Sequence, residues 1–219
     1  EIAVVFSQVN QATDQNQLVM ETIERIANRH KLAALLSEKP FAGVNGSGKH
    51  NNWSMATNDG MNLLEPGDNP KDNAQFLVFL TAVIEAVDRY QELLRMSAAK
   101  AGNDHRLGGH EAPPAIISIF LGDQLSDILD ALADGVEGIN KPKEFIEIGV
   151  DTLPKLPKDM TDRNRTSPFA FTGNKFEFRM VGSSASIAGP NVALNTAVAQ
   201  VLSEFAKKLE SSSDLNKTI

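Results

Sequence analysis

Between residues 72 and 98 the apolar side chains Phe76, Leu80, Val83, Val87, Tyr90 and Leu94 recur at steps of three and four. That spacing winds them onto one stripe of a helix, and a stripe of this length must be covered by other structure. A second amphipathic helix is read from Asn191 to Leu209, with Leu194, Val198, Val201 and Phe205 facing inward. The segment Lys175-Phe176-Glu177-Phe178-Arg179-Met180 instead alternates with period two. As a strand it puts Lys175, Glu177 and Arg179 on one face and the apolar residues on the other. Long helices and strands therefore share one chain, although periodicity does not fix their topology.

Other segments fill in the order. Residues 1–6 are β-branched and apolar, which predicts a strand. Asp14 and Gln17 resemble a capping box ahead of Leu18, Val19, Ile23, Ile26 and Ala27, so a helix is expected over about 14–30. Leu32–Leu36, His50–Ala56 and Ile116–Phe120 read as short strands, and residues 123–134 as a short helix. Residues 101–114 read as a polar loop carrying Gly108, Gly109, His105 and His110. A Lys- and Pro-rich stretch runs to about 160, and residues 211–219 read as a frayed tail. The chain opens Glu1-Ile2-Ala3-Val4-Val5 without Met or a basic leader, so it is expected to be a segment of a longer protein.

Composition excludes several functions. Twenty-eight acidic against 21 basic residues give a net charge of −7, and this balance argues against a nonspecific nucleic-acid binder, local basic clusters aside. There is no cysteine, which removes disulfides, thiolate zinc sites and cysteine nucleophiles. No run of about 18 apolar residues is present, so no membrane partner is expected. A chain of 219 residues is long enough for a substantial core.

Gly43-Val44-Asn45-Gly46-Ser47-Gly48-Lys49-His50 nearly fits a phosphate-binding loop. It lacks the Ser or Thr after Lys and the helix that should open there, so that assignment is disfavoured. The glycines still allow close backbone approach to a ligand. A neutral imidazole at His50 is a candidate divalent-metal ligand, with Glu1, Glu111 and Glu177 as candidate carboxylates. Arg106 is suited to holding a carboxylate in bidentate fashion. Arginines beside a metal carboxylate suit phosphoryl transfer, and Arg163-Asn164-Arg165 with Arg179 supply them.

Lys39-Pro40-Phe41-Ala42-Gly43-Val44-Asn45-Gly46-Ser47-Gly48-Lys49-His50-Asn51-Asn52-Trp53-Ser54 resembles the ATP-binding signature of glutamine synthetases, in a form close to type III. Arg106–Pro113, Asn164–Ser167 and Phe176–Arg179 resemble three further segments of the family, in the family's order. The resemblance implies an α+β fold, a curved and mainly antiparallel sheet flanked by helices. It implies ATP-dependent ligation of ammonia to glutamate through γ-glutamyl phosphate, with Mg2+ or Mn2+. It assigns Glu1, His50 and Glu177 to metals, and Asn45, Gly46 and Arg106 to substrate glutamate. Asn52, Ser54 and Lys175 fall on the ATP side. Glu111 matches the flap glutamate that closes the site and helps deprotonate ammonium, and Arg165 and Arg179 match arginines at the phosphates.

The resemblance further implies a cytoplasmic dodecamer of two hexameric rings. Residues 1–219 would be a catalytic-domain segment without its amino-terminal domain or carboxy-terminal extension, and with a type III-like insertion at about 121–160. Alone, such a segment is expected to be inactive. Departures from the wider family are Asn52 in place of a second histidine, Ala170 in place of an arginine, and an Arg106–Glu111 spacing shorter by one. The alternatives are a non-catalytic nucleotide-binding or assembly relative, and another γ-glutamyl amine ligase.

Overall fold

A computed structural model describes residues 4–136 and 167–213, with two short strands at 145–146 and 156–157 between them. In chain order the elements are α1 (Val9–Arg29), β1 (Gly48–Trp53), a 3-10 turn (Pro70–Asp72), α2 (Ala74–Arg89), α3 (Gln91–Ser97) and α4 (Ala101–Arg106). There follow β2 (Ile119–Phe120), α5 (Asp123–Ala133), β3 (Phe145–Ile146), β4 (Leu156–Pro157), β5 (Phe169–Phe171), β6 (Phe176–Gly182) and α6 (Ala188–Ser211). The main sheet has four strands in the order β1-β6-β5-β2. β6 is antiparallel to both neighbours, and β5 is parallel to β2. β3 and β4 form a separate antiparallel pair.

The period-two segment folds as its pattern demands. Phe176 and Phe178 are buried, and in register they meet Trp53 and Asn51 of β1 and Phe171 and Phe169 of β5. Their rings form one cluster: Phe169 stacks on Phe176 with centroids 4.6 Å apart, and Phe171 meets Phe176 edge-on at 5.2 Å. Such geometries add to the burial of the aromatic area itself. Phe76 of α2 extends the cluster, 6.0 Å from Phe171.

Helices α2 and α6 cover this face. Phe76, Leu80, Val83 and Val87 of α2 and Leu194, Val198 and Val201 of α6 are all buried. Asn73 caps α2, its side chain accepting from the Phe76 amide at 3.0 Å. Two polar contacts fix where α6 lies on the sheet. Asn51 and Asn191 exchange a reciprocal pair of amide hydrogen bonds, each 3.1 Å, and Trp53 Nε1 donates to Asn195 at 2.7 Å. Residues 51 and 53 share a strand face, and 191 and 195 share a helix face, so the two periods match at this contact.

Several expectations are corrected. Residues 4–6 form no strand and lie exposed, Val5 at 85% and Phe6 at 94%. Leu32–Leu36 is irregular and pairs with no described strand. The 72–98 helix breaks at Tyr90, whose φ of −114° is not helical, although no Gly or Pro marks the place. The expected 101–114 loop begins with α4, where burial of Asn103 and Arg106 overrides the poor helix propensity of Gly102. Helix α6 starts three residues before Asn191, its first turn tolerating Pro190. Helix α1 starts at Val9 without a side-chain cap and buries none of its residues. Residues 1–3, most of the Lys- and Pro-rich stretch and residues 214–219 lie outside the described residues. No described helix is long and apolar enough to cross a membrane.

The Asn51–Asn191 pair predicts a coupled energetic signature. Asn191→Ala leaves a buried amide without its partner and should cost about 1–3 kcal/mol in denaturant unfolding. Combined with Asn51→Ala, the double variant should lose clearly less than the sum of the singles.

Candidate active site

Opposite the aromatic core, the other face of β1 and β6 carries the polar residues. Asn52 faces Glu177 in register, and Ala170 of β5 faces Glu177 from the other side. Between Lys49 and Asn51 the register shifts: Lys49 pairs with Val181 and Asn51 with Phe178. Arg179 and Met180 therefore stand opposite the single residue His50, a bulge in β6. Beyond the bulge the alternation is shifted, so Val181, opposite Lys49, shares the face of Phe178, and both Met180 and Val181 are buried.

Glu177 is held by both oxygens. His50 Nδ1 lies 2.6 Å from Oε1, while Arg179 approaches Oε2 through Nε at 2.9 Å and Nη2 at 2.8 Å. The His50 hydrogen bond is the largest influence on this carboxyl. Burial opposes it, Arg179 reinforces it, and the pKa falls to about 2. Arg179 is 4% exposed, and His50 is the open member of the trio, its side chain 46% exposed.

At the Gly48 end of the strand pair a second polar cluster forms. Arg106 is 6% exposed, and its guanidinium is the centre of the cluster. It donates from Nε to Asn103 at 3.0 Å and from Nη2 to the carbonyls of Arg179 and Val181 at 3.3 and 3.4 Å. Asn103 donates to the Met180 carbonyl at 2.8 Å. Helix α4 thus satisfies the β6 carbonyls that the shorter β5 does not reach. Lys49 donates to the carbonyls of Gly182, Ser183 and Ala185. Burial draws its pKa down to about 8, against the pull of Glu38.

Glu38 sits in this cluster at 1% exposure, accepting from the amide and hydroxyl of Ser184. Glycines make the room. A Cβ on Gly102 or Gly182 would lie 2.6 Å from a Glu38 carboxylate oxygen, and one on Gly46 would lie 2.5 Å from Arg106 Cγ. None of these three has a left-handed backbone, so glycine serves for space there and not for conformation.

At the Trp53 end, Ser54 Oγ donates to Asn62 at 2.7 Å, and Asn62 donates to the Asn174 carbonyl at 2.8 Å. Lys175 follows on the tight β5–β6 turn, its carbonyl accepting from the Thr172 amide at 2.8 Å. Glu111 lies exposed on the turn after α4, which closes through Gly108 N to Pro113 O at 2.9 Å. Gly108 has a φ of 77°, which requires glycine.

The sequence profile described as the glutamine synthetase catalytic domain matches residues 1–116. A type-3 glutamine synthetase of Dictyostelium discoideum is 54% identical over 92% of this chain. The chain belongs to the glutamine synthetase family. A glutamine synthetase of Bacteroides fragilis is 52% identical over 96% of the chain. The chain spans 28% and 29% of the lengths of these two relatives. A solved structure described as a GmaS/ADP complex is 17% identical, with a TM-score of 0.55 over 91% of this chain and 38% of that one. That likeness establishes a shared fold, the α+β arrangement expected of a glutamine synthetase.

Of the expected site residues, the structure brings His50, Asn52, Glu177 and Arg179 onto one face. Asn45 and Gly46 lie at one end of the strand pair, with Ser54 and Lys175 at the other. Glu1 and Arg165 fall outside the described residues. Arg106 differs from expectation. The guanidinium expected to hold a substrate carboxylate is turned inward onto β6, beneath the glycine loop.

Among the described residues no group of three or more His, Asp or Glu side chains could hold a metal. The pair His50–Glu177 nevertheless fits one by its chemistry. A carboxylate beside an imidazole suits Mg2+ or Mn2+ when phosphate oxygens and water complete the shell. Sequence reasoning missed Glu38, Asn103 and Ser184, and gave Lys49 no role. Unexplained glycines at 102 and 182 were the available signal.

Two outcomes follow. Gly46→Ala forces a Cβ against Arg106 and the Glu38 carbonyl, and should cost about 1–3 kcal/mol in denaturant unfolding. The second concerns pH. Burial pushes the Glu38 carboxyl up, but the Ser184 and backbone hydrogen bonds and Lys100 together hold it below the ordinary range. A depressed folded pKa gives stability that is complete above the ordinary glutamate range and is lost as pH falls through it and past the folded value. Acid unfolding of Glu38→Gln should therefore show a shallower pH dependence than the parent.

Proposed function

We propose that this chain is a catalytic-domain segment of an enzyme that ligates ammonia to L-glutamate at the expense of ATP, through γ-glutamyl phosphate. The supporting observation is the linear order along β1 and β6. The loop of Asn45 and Gly46 lies at the Gly48–Gly182 end, the His50–Glu177 pair lies in the middle, and Ser54 and Lys175 lie at the Trp53–Phe176 end. Glutamate at the first end and nucleotide at the last would meet across the middle, where reacting groups gain most from fixed orientation.

His50 and Glu177 are the residues that would hold Mg2+ or Mn2+. When bound, the ion neutralises phosphate charge and orients the transferred group. Arg179, fixed on Glu177, adds positive charge to the same face. Lys175 and Arg165 are assigned to the phosphates, and Asn52 and Ser54 to the nucleotide. Asn45 and Gly46 are assigned to glutamate, with Arg106 shaping that end from below. Glu111, on a turn hinged at Gly108, is assigned to excluding water and accepting a proton from ammonium. Glu1 is assigned to the metal shell. The full-length protein is read as a cytoplasmic homo-oligomer of two hexameric rings.

The test is ATP- and ammonium-dependent glutamine formation by the full-length protein. Glu177→Ala should lower it by more than the roughly 10–100-fold that loss of an outer partner costs a metal site. A chelator should abolish activity, and Mg2+ should restore it. An intact oligomer that binds ATP but makes no glutamine would replace this reading with the non-catalytic one.

A further inference from the structure

The geometry points to Glu38 as a positioning residue for the glutamate end of the site, an assignment that rests on the function proposed above. Glu38 joins two segments far apart in the chain. Its backbone carbonyl accepts from the Ser47 amide at 2.8 Å, inside the loop that carries Asn45 and Gly46. Its carboxylate accepts from the Ser184 amide at 3.1 Å and from the Ser184 hydroxyl, in the turn that follows β6. A third bond closes the ring, from the Ser183 amide to the Ser47 carbonyl at 3.2 Å.

The link is closely packed. A Cβ on Gly102 or Gly182 would meet the Glu38 carboxylate at 2.6 Å, so a side chain at either position would displace that carboxylate. Lys49 grips the same turn from β1, and Lys100 donates to Ser184 Oγ at 2.7 Å. Glu38 itself is buried and opens onto no ligand surface, so its influence on a substrate passes through the loop. Loss of its carboxylate leaves Ser184 without this acceptor and cuts one of the links between the 45–48 loop and the turn after β6, loosening the loop on the remaining Ser183–Ser47 bond. The Ser54–Lys175 end is the opposite end of the strand pair and is held by Asn62 and Asn174 instead. A positioning role thus predicts an effect confined to one substrate.

The experiment compares Glu38→Ala, Glu38→Gln and Ser184→Ala in the full-length protein by steady-state kinetics, with Glu177→Ala as the inactive control. Glu38→Ala should raise the glutamate KM by at least about tenfold, the equivalent of one lost buried acceptor, and leave the ATP KM unchanged. Glu38→Gln keeps a carbonyl oxygen for both Ser184 donors and should restore the glutamate KM. Ser184→Ala removes one donor and should move the glutamate KM in the same direction by about threefold. A glutamate KM unchanged in Glu38→Ala, or one that moves together with the ATP KM, overturns the assignment. If Glu38→Ala does not fold, an unchanged glutamate KM in Ser184→Ala overturns it equally.

Amide hydrogen exchange separates this failure from failure of the functional reading, since it needs no turnover. Residues 45–48 should exchange faster in Glu38→Ala or Ser184→Ala than in the parent, and at the parental rate in Glu38→Gln. Unchanged exchange over 45–48 also overturns the proposal.

Discussion

The register of β1 against β6 is the constraint from which the site follows. A slip of one residue would turn Glu177 into the aromatic core and Phe176 and Phe178 out of it. Burial of the phenylalanine cluster holds the register from below. The Asn51–Asn191 and Trp53–Asn195 contacts hold it from α6. The bulge opposite His50 then shifts the alternation for the residues beyond it, so that Val181 is buried as well as Met180 while Arg179 stays beside Glu177. Core packing and site geometry are therefore one problem, since the same strands present phenylalanine on one side and the charged trio on the other.

Charge on this side of the sheet is tightly partnered. Glu177 sits between an imidazole and a guanidinium. Glu38 sits among Ser184, Lys49, Arg106 and Lys100. Buried ions are tolerated only when hydrogen bonds replace the lost water. Here backbone carbonyls of residues 179–185 supply most of the acceptors for the buried cations. The arrangement fixes the backbone next to the site more firmly than aliphatic packing would, because each bond is directional.

Much of this was legible in the sequence. Period two at 175–180 put Glu177 and Arg179 on one face, and the structure pairs them at 2.8 Å. The stripe from Phe76 to Leu94 identified the covering helix, and the family resemblance assigned His50 and Glu177 to a metal, side chains the structure brings to 2.6 Å. What stayed hidden was set by tertiary contact. Glu38 and Ser184 are separated by 146 positions, and neither stands in a pattern of its own. Helix α4 holds because Asn103 and Arg106 are buried, a cause invisible to local propensity. The same burial turns the Arg106 guanidinium onto β6, an orientation its motif does not show. The break at Tyr90 has no mark in the residues around it.

Strand β6 runs seven residues and β5 only three, so beyond the Arg179 amide, which donates to the Pro168 carbonyl, no described strand lies beside β6 on that edge. Such an edge is a template on which another chain can add by backbone pairing. Here the carbonyls of Arg179, Met180 and Val181 are already taken by Asn103 and Arg106. Among the described residues, the groups that occupy this edge are thus two side chains of a six-residue helix rather than a further strand.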